Sequence, residues 1–228
     1  MVLGHFGVGF GAKKFAPKIS LGTLFIAVQW ADLLWPVLLL LDVEKVTIRH
    51  DNPNFPLDFV SYPFTHSLLM GIVWGLCFGL LYWLAKKDKR GAIVLAICVV
   101  SHWVLDLVVH APDLPLLPGD SPKLGLGLWN NQLATAIVEG LLFLVGLVLY
   151  LKTTRAKNTT GKWTLWLLVI LLVANQMAGR LSPLPPSGHA IGWAAQYQWI
   201  FVLLGYWVDR NRVTAHPLPS PPPSYTAA

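Results

Sequence analysis

The sequence predicts an all-α fold: a polytopic membrane helical bundle of about six transmembrane helices, with a short N-terminal half-helix. Three observations carry this. Apolar residues make up 55% of the 228-residue chain, with a mean hydropathy of +0.57. Charged residues make up only 12%, about half the share of a soluble domain. Six apolar runs reach or approach the length of about 20 residues that a helical crossing needs.

Taken in order, the first element is `MVLGHFGVGFGAKKFAPK`. It is apolar but too short to span, and reads as a half-helix whose glycines allow close packing against a neighbour. No basic residue precedes it and no small-residue cleavage site follows the next run, so it does not read as a cleaved signal. The six spans then fall at 20–41, 64–85, 91–111, 128–151, 163–179 and 190–208. Residues 1–212 form one transmembrane domain, and 213–228 form a Pro-rich disordered tail ending in `HPLPSPPPSYTAA`. The loop `HAPDLPLLPGDSPKLGLGLWNN` carries prolines and glycines that predict defined turns rather than helix.

The charges test this order. If the spans alternate, one side receives Lys13, Lys14, Lys18, the `KKDKR` run at 86–90, the basic residues of `KTTRAKNTTGK` at 152–162, Arg210 and Arg212, which is 13 of the 17 basic residues. The other side receives Lys45, Arg49, Lys123 and Arg180 together with most of the loop aspartates. The positive-inside bias puts the basic side, and both terminal regions, in the cytoplasm. The pI near 9.4 is thereby explained by cytoplasmic loops, and no nucleic-acid partner is implied. Cys77 and Cys98 lie in separate apolar runs and read as apolar fillers rather than as metal ligands. No internal repeat of the kind common in secondary transporters is visible.

Ionisable residues inside lipid are expensive and need a reason. `SHWVLDLVVH` places His102, Asp106 and His110 at four-residue intervals, within about 80° of one another around a helix. An imidazole and a carboxylate at i, i+4 can chelate one divalent ion. Nitrogen and carboxylate donors suit zinc, manganese or iron better than calcium or magnesium. At about 1.5 Å per residue, Asp32 lies about 21 Å above Lys18, His102 about 18 Å and Asp106 about 24 Å above Arg90, and Glu139 about 20 Å above Lys152. His66 and His110 lie about 30 Å up, near the outer surface. Four spans therefore contribute polar groups at similar depth, in the outer half of the bilayer.

Alternatives stand beside each of these. His102 with Asp106 also reads as a structural pair, and Asp32 as a protonated packing residue. His66 in `YPFTHSLL` is either a ligand or a water-facing residue at a helix start, with Thr65 or Ser67 as the cap. His110 is a ligand or an interfacial residue, and Glu139 a ligand or half of an interhelical pair. Asp113 ligates, orients a histidine, or is a solvated turn residue. His50, His189 and His216 read as loop or tail residues, solvated or marking a helix start.

The ordered set His5 in `GHFGVG`, Asp32 in `QWADLLW`, Thr65-His66-Ser67 in `FTHSLL`, and His102 and Asp106 in `SHWVLD` resembles the bacterial inner-membrane metal-dependent hydrolases, a LexA-regulated group among them. More distantly it is similar to zinc-dependent phospholipase C. The likeness covers about the first half of the chain. This chain reads `WADLLW` where the pattern often has Pro-Asp-Ile-Asp, and `SYPFTHS` where it often has His-Arg ahead of Thr-His-Ser.

The resemblance implies a divalent metal, zinc first among the candidates, held by His5, Asp32, His66, His102 and Asp106, with His110, placed by its helical spacing, as a reserve ligand. Asp32 and His66 are the expected catalytic residues. The expected activity is hydrolysis of an ester or phosphoester, lipid-like if it comes from the surrounding bilayer, at a site opening to the periplasm. Two further readings remain open. One is a non-catalytic membrane subunit of a larger complex, with a membrane-protein partner. The other is a proton or ion carrier using Asp32, Asp106 and Glu139.

Overall fold

A computed structural model describes residues 1–49, 56–181 and 185–215. Its described helices in chain order are α1 Val2–Ala12, α2 Leu21–Val28, α3 Trp30–Leu40, α4 Pro63–His66, α5 Leu68–Lys86, α6 Lys89–Val109, α7 Gln132–Thr153, α8 Thr159–Leu181, α9 Gly188–Ala194 and α10 Gln198–Arg210. Three small antiparallel strand pairs accompany them among the described residues. These are β1 Lys45–Ile48 with β2 Leu57–Ser61, β3 Leu114–Pro115 with β4 Lys123–Leu124, and β5 Thr154–Ala156 with β6 Arg212–Thr214.

Among the described residues, four helices are long and apolar enough to cross a bilayer: Leu68–Lys86, Lys89–Val109, Gln132–Thr153 and Thr159–Gly179. A fifth crossing arises if α2 and α3, bent by 59° at Gln29, count as one broken span. The sixth expected span, 190–208, is not a single helix. It is divided into α9, a 3₁₀ turn at Ala195–Tyr197 and the 13-residue α10. Val213 and Thr214, within the segment expected as a tail, pair with β5. Residues 216–228, with His216, lie outside the described residues, as does His50.

Local sequence accounts for the helix ends. Ser67 leads α5 and accepts from the Met70 amide, Asp88 caps α6 through the Gly91 amide, and Asn131 caps α7 through the Ala134 amide. The outward face of α5 is Leu76, Leu80, Leu81 and Leu84, all at least half exposed and all apolar, which in a membrane protein is the lipid face. The loop after α6 forms turns as expected. It folds into the β3–β4 hairpin and a 3₁₀ turn at Leu128–Asn130.

The half-helix α1 packs inside the bundle. Its Gly7 lies against the backbone of Leu142 and Phe143 in α7, and Gly146 of α7 lies against the backbone of Gly7. A side chain at either position would collide with backbone, so the pair sits at a distance only glycine permits. Phe6, Phe10, Phe25, Phe143, Tyr150 and Phe201 form the adjoining core, meeting edge to face. At the basic end, the Lys13 amine donates to Asp209 (2.7 Å) and to the Ile19 carbonyl (2.7 Å). The Tyr150 hydroxyl donates to the same carboxylate at 3.2 Å.

Candidate metal centre

The site lies at the opposite end, where α1, α3, α4 and α6 meet. Asp106 is its centre and is 2% exposed. Its Oδ1 accepts from the Met1 amine at 2.9 Å and lies 3.1 Å from His5 Nε2. Its Oδ2 faces three imidazoles: His102 Nε2 at 3.0 Å, His66 Nε2 at 3.9 Å and His110 Nε2 at 4.0 Å. Asp32 Oδ1 closes the group, 3.6 Å from His66 Nε2 and 3.7 Å from His102 Nε2. All six expected ligands are therefore neighbours. Two overlapping sets have the spacing to hold an ion, His66–His102–Asp106 and His5–Asp32–His102. Zinc–ligand bonds of about 2.0–2.1 Å in a tetrahedron put donor atoms about 3.3 Å apart, and the observed separations bracket that figure.

The hydrogen bonds on the far side of each ring matter more than the distances. His102 Nδ1 is 2.8 Å from the Val28 carbonyl, which can only accept, so the proton sits on Nδ1. Thr65 Oγ1 donates to Glu44 Oε2 at 2.7 Å, so it accepts from His66 Nδ1, also at 2.7 Å. His110 Nδ1 donates to Asp113 Oδ1 at 2.9 Å. With Nδ1 committed, a neutral ring has only a lone pair at Nε2, and in each case Nε2 faces carboxylate oxygens. His102 Nε2 lies 3.0 Å from Asp106 Oδ2, and His5 Nδ1 is buried without a hydrogen-bond partner among the described residues. Lone pairs opposed to carboxylates in a buried place repel unless a cation lies among them. Ring nitrogens tied to a carbonyl or carboxylate are also how metal-ligating histidines are held. The donor set fits a divalent cation.

The backbone prepares this arrangement. The break at Gln29 leaves the Val28 carbonyl to His102 and puts Asp32 in the first turn of α3, where the helix dipole favours a negative charge. Pro36 has no N–H for the Asp32 carbonyl, and Gln198 Nε2 donates to it instead at 3.3 Å. Glu139 on α7 is buried and accepts the Leu3 amide at 3.0 Å, so it anchors the start of α1, which carries His5. Tyr62, just ahead of α4, donates to Asp113 Oδ1 at 2.8 Å. Burial pushes the Tyr62 hydroxyl pKa up, with Asp113 adding to it. Burial lowers the pKa of His110, just past the end of α6, and so favours the neutral imidazole.

Of the open alternatives, His66 is buried rather than facing water, and Ser67 rather than Thr65 caps α5. His110 is buried against Trp129, with ring centroids 4.3 Å apart. Asp113 orients a histidine. His189 pairs with Asp42 (2.9 Å) at an exposed position away from the cluster. Cys77 and Cys98 are free thiols, Cys77 exposed and Cys98 buried. The residue that sequence reasoning missed is Glu44. Its Oε1 accepts the Phe64 and Thr65 amides (2.8 and 3.0 Å) and its Oε2 the Thr65 hydroxyl. Burial raises its carboxyl pKa against the pull of those hydrogen bonds. It reaches the site from the connection after α3, and no spacing rule links it to His66.

No curated protein and no solved structure matches the chain. The sequence model of the family described as YdjM inner membrane protein matches residues 41–182, which include Glu44, the Thr65-His66-Ser67 segment, His102, Asp106 and His110; His5 and Asp32 precede the match. With well over half of its length so matched, the chain belongs to the YdjM inner membrane protein family.

Proposed function

We propose that the protein is a metal-dependent hydrolase of the inner membrane, acting on an ester or phosphoester at a site that opens to the periplasmic side. The observation that carries this is the set of three imidazoles with Nδ1 bonded outward and Nε2 turned toward Asp32 and Asp106. His66, His102, Asp106 and Asp32 would hold the ion, with His5 and His110 beside them. Zinc suits these donors, and manganese or iron are the other candidates. A divalent cation held by these residues would supply acidification of a water and stabilisation of charge on the group under attack.

The chain's own residues supply the rest. Asp32, with 20% of its side chain exposed against 2–4% for His66, His102 and Asp106, is the carboxylate a proton from water reaches most readily. It is the base in this reading. The Glu44–Thr65 pair keeps the His66 Nε2 lone pair available, and His110 with Asp113 does the same one helical turn beyond Asp106. The cytoplasmic placement of the basic end and of both terminal regions follows from the charge bias.

Elemental analysis of the purified protein tests the reading. About one or two equivalents of zinc, manganese or iron are expected in the parent, and none in the His102→Ala/Asp106→Ala double variant. A parent without stoichiometric metal ends it. The second reading, a non-catalytic subunit, is favoured by `WADLLW`, which lacks the second carboxylate of the hydrolase pattern. A metal-loaded parent inert toward phosphodiester and carboxylester reporters, yet copurifying with one fixed membrane partner, would establish it.

A further inference from the structure

A groove of about 510 Å³ runs down the outside of the bundle between α8 and α10, starting at the basic end. It is walled by Trp163, Trp166, Leu167 and Ile170 of α8 and by Trp207 of α10, all exposed. Its volume falls within the roughly 300–1,000 Å³ typical of small-molecule sites. From Thr159, where the lining begins, to Ile170 is about 16 Å along the helix. One leaflet of hydrocarbon is about 15 Å deep, so the groove has the length of a single acyl layer. Trp163 and Trp207 stand near the start of α8 and the end of α10, the interfacial level that tryptophan favours.

The basic end of the groove is a fixed joint. A Cβ on Gly161 would collide with the Asn211 carbonyl oxygen, and Arg212 Nη1 donates to the Gly161 carbonyl at 3.0 Å. Cations gather around this joint. Lys162 precedes Trp166 by four positions and Arg210 follows Trp207 by three, so each shares a helix face with a lining residue. Lys162 Nζ lies 5.5 Å over the Trp163 ring. Lys157 Nζ donates to the Arg210 carbonyl at 2.8 Å. No acidic residue occurs in α8, β5 or β6. The one in α10, Asp209, already accepts from Lys13 and Tyr150. An apolar trough one leaflet long, ending in cations without a competing carboxylate, complements an amphiphile with an anionic head.

We propose that this groove is a binding site for an anionic phospholipid of the leaflet at the basic end, with an acyl chain laid between α8 and α10 and the headgroup phosphate held by Lys162 and Arg210. A zwitterionic lipid brings its own ammonium to the same cations and is disfavoured. The site is separate from the metal centre at the opposite end of the bundle and does not depend on the hydrolase reading.

The test titrates the full chain in detergent with dioleoylphosphatidylglycerol and reads bound lipid by native mass spectrometry. Dioleoylphosphatidylcholine, with the same chains, and glycerol phosphate, with no chains, serve as comparisons. Saturable binding of the anionic lipid is expected, at least about tenfold tighter than either comparison. The Lys162→Gln/Arg210→Gln double variant is expected to weaken it about 30-fold. Lys86→Gln/Lys89→Gln removes the same charge from exposed positions on α5 and α6 and is expected to leave it unchanged. Leu167→Trp fills the groove at an exposed position and is expected to abolish it. Equal affinity for the two lipids overturns the inference, as does equal loss in the two double variants. Glycerol phosphate binding as tightly as the anionic lipid would reveal a free-phosphate site instead, and full binding by Leu167→Trp would place the lipid elsewhere. Either result also overturns it.

Discussion

At the scale of single residues, the proposed function turns on which ring nitrogen carries a proton. His66 has its lone pair at Nε2 only because Thr65 accepts from Nδ1, and Thr65 accepts only because Glu44 takes the hydroxyl proton. Glu44→Gln replaces an acceptor with an amide donor, so Thr65 turns and donates to Nδ1, and the His66 proton moves to Nε2. Metal affinity measured by chelator competition should fall about 10- to 100-fold, the usual cost of losing an outer partner. Thr65→Val should fall by a similar factor, and the double variant should be no worse than either. His102 and Asp106 were legible from their four-residue spacing, and His66 from its estimated depth and its Thr-His-Ser segment. Glu44 was not, because a contact made across a loop leaves no periodic trace. The same is true of the Val28 carbonyl, since every residue has one.

At the scale of elements, the bent α2–α3 pair does most to shape the site. Pro36 was visible in the sequence, but its consequence needed the partner helix: the carbonyl it frees, that of Asp32, is taken by Gln198. Gln198→Leu should lower stability by about 0.5–1.5 kcal/mol in thermal unfolding of the detergent-solubilised protein. Restoring the helical N–H with Pro36→Ala should reduce that penalty, so the pair of changes is non-additive. The contact of α1 with α7 leaves less latitude. Gly146→Val drives a side chain into the Gly7 backbone, and a cost of about 3 kcal/mol or more is expected, since overpacking here meets main chain. The span count was legible only in outline. Runs of apolar residues give the length of a crossing, but a break such as that at Gln29 or at Ala195–Tyr197 depends on what the freed backbone groups find to bond with.

At the scale of the whole molecule, charge and chemistry are separated along the bundle. The cation-rich end holds Lys13, Arg155, Lys157, Arg210 and Arg212, with Arg212 donating to Thr154 and to the Gly161 carbonyl. The imidazoles gather at the other end. This polarity was legible by counting lysines and arginines, because insertion responds to charge and not to packing. In a variant with Cys77 and Cys98 replaced by Ala, Lys123→Cys should react with a membrane-impermeant maleimide in spheroplasts, and Lys87→Cys only after lysis. The opposite pattern would invert the topology. One contact links the two extremes of the sequence. Lys13 closes on Asp209, 196 positions later, and the helix bearing His5 is thereby latched by α10. The cluster of imidazoles can then close only after α10 has joined the bundle, and a nascent chain that has not yet inserted α10 carries those rings unassembled.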